Sequence, residues 1–250
     1  MLNLENEIAV VTGASRGIGA DIARTLAAHG CRVIVNYHRS REKAEAVVDE
    51  IRQAGGKAIS FQANVTEAEP VRQMIEAAVR EFGNPSILIN NASSPMIHKK
   101  IAQTDWSEFL SCFEMAVKSS HLCCAAVAPA MKKSRKGKIV NVVTQYSQGV
   151  PPLALATYVT AKYALAGFSK SLAVELAPFG VQVNMVSPGL TETGLVSGLP
   201  DSFKQAIAQQ TPMKKNATCG DVSKAVMFLV SDLADFITGV NLPVCGGNIM

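Results

Sequence analysis

Two side chains with complementary proton chemistry, Tyr158 and Lys162, lie four residues apart in the segment ATYVTAKYAL (156–165). On a helix, residues i and i+4 share one face, so both side chains can point at the same ligand. A free phenol has a pKa of about 10, and a neighbouring ammonium favours its ionised form. The spacing therefore predicts a catalytic pair in which Tyr158 exchanges a proton with a substrate oxygen and Lys162 lowers the pKa of the phenol. An exposed pair on a helix surface would have the same spacing.

A glycine-rich turn, TGASRGIG (12–19), directly follows the apolar run IAVVT (8–12) and leads into a helical pattern. Glycines let the backbone turn tightly, and the free N–H groups of the following helix favour an anion such as a pyrophosphate. In this strand–turn–helix context the turn predicts a dinucleotide site rather than an ordinary connection. The residues expected to contact the dinucleotide here are Gly13, Ser15, Arg16, Gly17, Ile18 and Gly19.

The segment after the second apolar run, VNYHRSRE (35–42), bears on the choice of cofactor. Sites for NAD place an acidic residue there to bind the ribose 2′-hydroxyl, but the first acid in this segment is Glu42. Arg39 lies just past the strand end and Arg16 lies in the glycine turn, and guanidinium groups suit a 2′-phosphate. The sequence therefore predicts NADPH/NADP as the cofactor. The alternative is that Arg39 points into water.

The elements that must position these residues alternate along the chain. Apolar runs predict seven strands at 8–12, 32–36, 57–61, 86–90, 138–143, 181–187 and 241–245. Helical patterns lie between them at 17–29, 41–54, 67–82, 104–131, 157–177 and 220–231. Alternating strands and helices predict an α/β fold, a doubly wound parallel sheet with helices on both faces. We expect one domain over 1–250, with a long loop at about 190–213 acting as a lid.

Composition excludes several other classes of protein. The chain has 250 residues, 48% of them hydrophobic, and a formal net charge of +4 without a dense basic stripe, so no nucleic-acid partner is expected. Its 6 cysteines and 4 histidines are scattered, which argues against a metal site or a disulfide framework. The longest apolar helical stretch is short and contains Pro129, so no membrane span is expected. We expect a cytoplasmic enzyme with reduced thiols.

Four segments together resemble one known family. TGASRGIG (12–19), NNAS (90–93), YVTAK (158–162) and VSPGLTET (186–193) occur in the order and spacing of the short-chain dehydrogenases/reductases. The chain is most similar to the 3-oxoacyl-acyl-carrier-protein reductases and related ketoreductases. The resemblance implies a Rossmann-type sheet of seven parallel strands and hydride transfer between a nicotinamide and a carbonyl or alcohol carbon. It also implies a homotetramer built on the two long helices.

The resemblance assigns roles to further residues. Thr144 stands where the family has a catalytic serine, so the implied catalytic set is Thr144, Tyr158 and Lys162, with Ser147 as an alternative hydroxyl donor. Tyr158 and Lys162 also contact the cofactor. Its other implied contacts are Asn64, Val65, Asn91, Ala92, Pro188 and Gly189, with Thr191 or Thr193 holding the nicotinamide carboxamide.

Several positions depart from the family's pattern. Ala116 stands where many members carry an asparagine that holds a relay water, and Ser93 stands where a glycine is usual. Asn64 replaces an aspartate placed against the adenine, and Cys245 replaces an aspartate near the last strand. These changes bear on the substrate more than on the fold.

The substrate pocket is predicted to be mostly apolar. The lid carries Leu190, Leu195, Val196, Leu199, Phe203 and Met213, and Pro151, Leu153 and Leu155 form the expected opposite wall. No arginine stands out as a clamp for a free carboxylate, which favours a thioester or neutral ketone, small or carrier-bound. HKK (98–100) is the candidate docking site for an acidic acyl carrier protein, whereas KKSRKGK (132–138) falls at the opposite edge of the sheet.

Three functions compete. The first is NADPH-dependent reduction of a 3-oxoacyl thioester or related ketide to a hydroxy product. The second is a tailoring alcohol dehydrogenase or ketoreductase of secondary metabolism, and the third is a non-catalytic nucleotide-binding homologue. Enoyl reductases of the family space tyrosine and lysine more widely than Tyr158 and Lys162, and position 155 is Leu, so carbonyl chemistry is favoured.

Overall fold

A computed structural model describes residues 3–194 and 198–249 of the chain. Seven strands form one sheet: β1 (Ile8–Val11), β2 (Arg32–Tyr37), β3 (Lys57–Gln62), β4 (Ile87–Asn90), β5 (Gly137–Val142), β6 (Val181–Pro188) and β7 (Asn241–Val244). Their order is β3-β2-β1-β4-β5-β6-β7, and every neighbouring pair is parallel. The expected doubly wound parallel sheet is confirmed.

Helices cover both faces of this sheet. They are α1 (Gly17–Ala28), α2 (Arg41–Gln53), α3 (Ala68–Glu81), α4 (Trp106–Phe113), α5 (Ser119–Ser134), α6 (Ala156–Leu176), α7 (Asp201–Gln210) and α8 (Cys219–Val230). One hydrophobic core lies under α1, α2 and α8, and a second lies under α3, α5 and α6. The strands are therefore buried on both sides, which explains why they read as nearly continuous apolar runs.

Two helical predictions need correction. The pattern at 104–131 is not one α-helix, because a π-helical turn at Glu114–Lys118 separates α4 from α5. The segment expected to be a long loop contains α7, which starts directly after Pro200. The helix has no fully buried residue, and its apolar residues Phe203 and Ile207 line the pocket.

A buried polar chain fixes α6 against the centre of the sheet. Asn90 Nδ2 donates to Asn141 Oδ1 at 2.7 Å, and Asn141 Nδ2 donates to Ser169 Oγ at 2.7 Å. Ser169 Oγ in turn donates to the carbonyl oxygen of Leu165 at 2.7 Å. These bonds connect β4, β5 and α6, so the helix that carries Tyr158 and Lys162 is held by directional contacts as well as by apolar packing.

The sheet order reverses beside β1, which pairs with both β2 and β4. In open α/β sheets, ligands bind at the carboxyl ends of the strands at such a reversal. Within the two described stretches, no helix combines the length and the apolar character needed to cross a bilayer.

Candidate active site

A pocket of about 1220 Å³ opens at the carboxyl ends of the strands. Single small-molecule sites usually enclose 300–1,000 Å³, so this pocket has room for a dinucleotide and a substrate together. It brings together nearly every residue expected at the site: Gly13, Ser15, Arg16, Gly17, Ile18, Arg39, Asn64, Val65, Asn91, Ala92, Thr144, Tyr158, Lys162, Pro188, Gly189, Thr191 and Thr193. Gly19 is the exception, since it lies behind the surface of the pocket.

The glycine turn is held in place by two asparagine side chains. Gly13 has φ +62°, and its N–H donates to Asn36 Oδ1 at 3.1 Å. Asn91 Nδ2 donates to the carbonyl oxygens of Thr12 at 2.9 Å and Gly13 at 3.1 Å. A Cβ at Gly19 would lie 2.4 Å from Asn91 Nδ2, so no larger residue fits there. Gly19 therefore supports the turn from behind the pocket surface.

The first turn of α1 is suited to an anion. Arg16 is the N-cap residue, and no side chain caps the helix or places an acidic group in its first turn. Uncapped N–H groups at the start of a helix attract phosphate groups through their hydrogen bonds and the helix dipole. This end of the pocket therefore fits the pyrophosphate of a dinucleotide.

The part of the pocket beside the glycine turn and the end of β2 carries positive charge. Arg16 and Arg39 both line it and both are exposed. The side chain of Arg39 has no hydrogen-bond or ion-pair partner within 3–194 and 198–249. Asn64 also lines the pocket, but its side chain bonds Glu67 Oε1 at 2.5 Å and Thr66 Oγ1 at 2.9 Å. Asn64 is thus partly occupied by protein groups.

Thr144 and Tyr158 meet at the other end of the pocket. Thr144 follows β5 and is only 5% exposed, and its Oγ1 accepts the N–H of Tyr146 at 3.4 Å. Tyr158 extends from the first turn of α6, and the Thr144 hydroxyl lies close enough to the phenol to lower its pKa. Two hydroxyls are therefore presented together to one substrate oxygen.

Lys162 lies beneath this hydroxyl pair. It is 5% exposed, and its Nζ donates to the carbonyl oxygen of Val142 at 2.7 Å. The ammonium lies 5.9 Å from the centre of the Tyr158 ring. The position at i+4 on α6 thus brings both groups to the pocket, as their spacing predicts.

The pKa values differ from the expectation for this pair. Burial raises the pKa of Tyr158 to about 12, and the hydrogen bond from Thr144 opposes this only in part. Burial lowers the pKa of Lys162 to about 8. The Tyr158 pKa is shifted by burial, by the Thr144 hydroxyl and by the neighbouring Tyr146 and Cys112, and Lys162 is not among these groups. At neutral pH Tyr158 is a neutral phenol, the form that gives a proton to a carbonyl oxygen.

Three other hydroxyl-bearing residues were candidates for the site: Ser147, Thr191 and Thr193. Ser147 Oγ donates to the carbonyl oxygen of Thr144 at 2.7 Å, so this serine is engaged with the backbone. Thr191 is 5% exposed, and its Oγ1 donates to the carbonyl oxygen of Gly189 at 3.1 Å. Thr193 packs near the glycine turn, where a Cβ on Gly17 would lie 3.4 Å from its side chain.

Ala116 lies in the π-helical turn and borders a small second cavity with Tyr158 and Lys162. The cavity measures about 10 Å³, roughly the space that one water needs. The methyl group of Ala116 offers no hydrogen bond, and its carbonyl oxygen accepts Ser120 Oγ–H at 2.8 Å. The side chain at this position therefore cannot orient a water.

The substrate end of the pocket agrees with the predicted walls in part. The residues that line it include Pro151, Leu155, Leu190, Leu199 and Phe203. Leu153 and Met213 do not line it; they are 94% and 63% exposed. Met213 packs on Gly246 instead of turning inward. Leu195 and Val196 lie outside the described residues.

The pocket wall also includes residues that sequence reasoning missed, among them Gln145, Asn248 and Ile249. Gln145 directly follows Thr144, which was the only available signal. Asn248 and Ile249 are about 100 positions further along the chain, and only the folded sheet brings them there.

The fold and this pocket define a dinucleotide-binding oxidoreductase. A family model described as enoyl-(acyl carrier protein) reductase matches residues 13–248. The chain belongs to the short-chain dehydrogenase/reductase family.

Individual relatives agree with this assignment. A 3-oxoacyl-[acyl-carrier-protein] reductase FabG of Staphylococcus epidermidis is 37% identical over 247 residues, covering 98% of this chain and 100% of that protein. A 3-oxoacyl-[acyl-carrier-protein] reductase of Synechocystis is 36% identical and covers 100% of both chains. An uncharacterized oxidoreductase of Methylorubrum extorquens is 38% identical, covering 99% of each.

A solved structure is similar over nearly the whole chain. It is a 7α-hydroxysteroid dehydrogenase complexed with NADH and 7-oxo glycochenodeoxycholic acid, with a TM-score of 0.94 and 29% identity. It covers 99% of this chain and 96% of its own. The protein is therefore an oxidoreductase that uses a nicotinamide cofactor.

Proposed function

We propose that the protein is an NADPH-dependent reductase that transfers hydride to the ketone of a 3-oxoacyl thioester or a related ketide and gives a hydroxy product. The observation that carries this proposal is that Thr144, Tyr158 and buried Lys162 line the same pocket as the glycine turn. The 3-oxoacyl-carrier reductases among the relatives support it.

Each of the three residues has a task in the reaction. A nicotinamide bound along the pocket supplies the hydride. Thr144 and Tyr158 hold the ketone oxygen, and Tyr158, a neutral phenol, releases its proton to that oxygen as negative charge develops on it. Lys162 anchors the site through Val142 and has further N–H groups for a ribose hydroxyl. The lid at 190–213, with Leu199 and Phe203, keeps water from the reacting atoms.

The decisive test is an oxidation assay with NADPH and NADH against 3-oxoacyl thioesters, diketides, simple ketones and an enoyl thioester. We expect turnover with the 3-oxoacyl thioester. Tyr158→Phe should bind NADPH normally and lose turnover, while Tyr163→Phe, on the exposed side of the same helix, should keep it. Unchanged turnover in Tyr158→Phe would reject the mechanism.

The same panel separates the alternatives. Turnover of simple ketones alone would favour the tailoring dehydrogenase. Turnover of the enoyl thioester alone would favour the reaction named in the matching family model. Dinucleotide binding without turnover of any substrate would favour a non-catalytic homologue.

The proposed preference for NADPH over NADH rests on Arg16 and Arg39, which line the pocket. A charge-assisted hydrogen bond contributes about 1.5–3 kcal/mol, so Arg39→Ala should lower kcat/KM for NADPH about 10-fold or more and leave NADH unaffected. Arg41→Ala is the matched control, because Arg41 faces Glu45 at 3.8 Å and does not line the pocket. A wild-type enzyme that prefers NADH would contradict this assignment.

Of the two lysines in the proposed carrier-docking segment 98–100, Lys100 is the candidate for contacting an acidic acyl carrier protein. Lys99 is paired with Glu108 at 2.6 Å, whereas Lys100 is exposed beside the pocket mouth, where His98 lines the wall. Lys100→Glu should raise KM for a substrate on acyl carrier protein and leave KM for the same acyl group on a small thiol unchanged. Equal effects on both would remove Lys100 from this role.

We propose a homotetramer in the cytoplasm. Trp106, Leu110 and Phe113 form an exposed apolar stripe on α4, and Tyr163 and Val174 continue it on α6. Exposed apolar patches of this size mark interaction surfaces. Sedimentation at micromolar concentration should give four chains, and a monomer would contradict the assembly. Fractionation of the source cells checks the location.

A further inference from the structure

Gln145 is a buried polar side chain in the wall of the pocket, with an incomplete set of hydrogen bonds. It is 6% exposed, and its Oε1 accepts Asn248 Nδ2–H at 3.4 Å. The same oxygen lies against Gly189, where an added Cβ would be 3.1 Å away. Its Nε2 group donates to no residue that the structure describes, and it is open to the pocket that Gln145 lines. Two N–H donors are thus left for the contents of the pocket.

The backbone around Gln145 is fixed. Gln145 opens a 3₁₀ turn at Gln145–Ser147, and its carbonyl oxygen accepts the N–H groups of Gln148 at 3.0 Å and Gly149 at 3.2 Å. The preceding residue, Thr144, caps that turn. Consecutive Cα atoms are about 3.8 Å apart, so the amide belongs to the same end of the pocket as the Thr144–Tyr158 hydroxyl pair.

A second contact holds the orientation of the amide. Asn248 Nδ2 donates to Thr211 Oγ1 at 3.1 Å as well as to Gln145 Oε1. Thr211 directly follows α7 and is itself 3% exposed. Because Asn248 binds the oxygen of the Gln145 amide, the nitrogen is the atom left to meet a substrate. Asn248 is therefore a positioning residue.

We propose that Gln145 selects the substrate by donating a hydrogen bond from Nε2 to a second oxygen beside the reacting ketone. This inference rests on the proposed ketone reduction and names its substrate class as 1,3-dicarbonyl compounds. A 3-oxoacyl thioester carries its thioester carbonyl one methylene away from the ketone, whereas a simple ketone has no second acceptor. A simple ketone cannot make this second hydrogen bond, so the site should favour a substrate that carries the second carbonyl.

The test compares two matched substrates. One is a 3-oxoacyl thioester of a small thiol, and the other is the thioether in which a methylene replaces the thioester carbonyl. We expect the wild-type enzyme to prefer the thioester by about 2- to 10-fold in kcat/KM, since one neutral hydrogen bond contributes about 0.5–1.5 kcal/mol. Gln145→Glu keeps an acceptor for Asn248 but loses both donors, and it should abolish the preference by slowing the thioester only.

Two further variants complete the design. Gln145→Met removes the whole amide at similar length and should give the same loss of preference. Gln148→Met is the control, since Gln148 Nε2 already donates to Ser187 Oγ at 3.0 Å; it should leave the preference intact. NADPH affinity and circular dichroism report folding. If Gln145→Met does not fold, the substrate preference of Gln145→Glu alone tests the proposal.

The outcomes separate this inference from the proposed function. Equal rates for thioester and thioether in the wild-type enzyme, or equal losses for both in Gln145→Glu, would overturn the role of Gln145 while leaving ketone reduction in place. Turnover of neither compound would overturn the proposed function. In that case the preference is measured as the ratio of the dissociation constants of the thioether and the thioester for the enzyme–NADPH complex. Gln145→Glu should abolish this preference by weakening the binding of the thioester only.

Discussion

The buried ammonium of Lys162 should make stability depend on pH in a defined direction. Burial lowers its pKa from the usual 10.5 to about 8. Between these two values the unfolded chain binds more protons at this site than the folded chain, so the free energy of unfolding rises with pH across this window. The difference between 10.5 and about 8 corresponds to about 3 kcal/mol in full. Between pH 7 and pH 10 about 2.5 kcal/mol of it should be recovered.

Urea unfolding of the wild type and of Lys162→Met at pH 7, 8, 9 and 10 measures this effect at one fixed protein concentration. The wild-type value minus the variant value should increase by about 2.5 kcal/mol over the series. Loss of the bond to Val142 adds a nearly constant offset. Tyr158 has the opposite sign, since its raised pKa of about 12 makes the free energy of unfolding fall above pH 10. The window below pH 10 therefore isolates Lys162.

Lys170→Met is the matched control, because Lys170 is exposed on the same helix. Its difference from the wild type should stay flat. A flat difference for Lys162→Met as well, or one that falls with pH, would refute the burial argument.

Three further predictions test other parts of the site. Gly19→Ala should abolish dinucleotide binding and destabilise the fold by about 1–3 kcal/mol, as seen by calorimetry and NADPH titration, because the methyl would lie 2.4 Å from Asn91 Nδ2. Thr144→Ser should keep turnover, and Thr144→Val should lose about 10²-fold in kcat with NADPH affinity unchanged; equal kcat would exclude the hydroxyl. A Cβ at Gly167 would have no described residue outside its own stretch of helix within 4 Å, so Gly167→Leu should leave the monomer folded yet split the proposed tetramer in sedimentation; an intact tetramer would place the interface elsewhere.

The parts of the structure that follow local patterns could be predicted from the sequence. Apolar runs gave the strands, the glycine turn marked the first strand–helix connection, and the i, i+4 spacing placed Tyr158 beside Lys162. Each of these depends on neighbours in the chain and on the geometry of one element. The single sheet of seven parallel strands followed from the resemblance and is confirmed.

The remaining features depend on contacts between distant segments. Asn248 meets Gln145 only after the sheet has formed, and Leu153 and Met213 turn outward for reasons that no local pattern carries. The direction of the Tyr158 pKa depends on how deeply the phenol is buried, and spacing does not report burial. The helix α7 follows Pro200 within a segment rich in glycine and proline, a composition typical of a loop, and its apolar residues Phe203 and Ile207 face the pocket instead of the core.

The chain of bonds from Asn90 through Asn141 to Ser169 also protects the sheet against misalignment. Ile87–Ile89 and the facing residues of β5 are mostly branched aliphatic groups, so sliding one strand past the other by two positions would change their contacts little. The same slide would separate the side-chain amides of Asn90 and Asn141. Each buried polar group left without a hydrogen-bond partner costs roughly 1–3 kcal/mol. The three polar side chains thus fix the pairing register of β4 and β5 at the centre of the sheet, where hydrophobic packing alone would permit other registers.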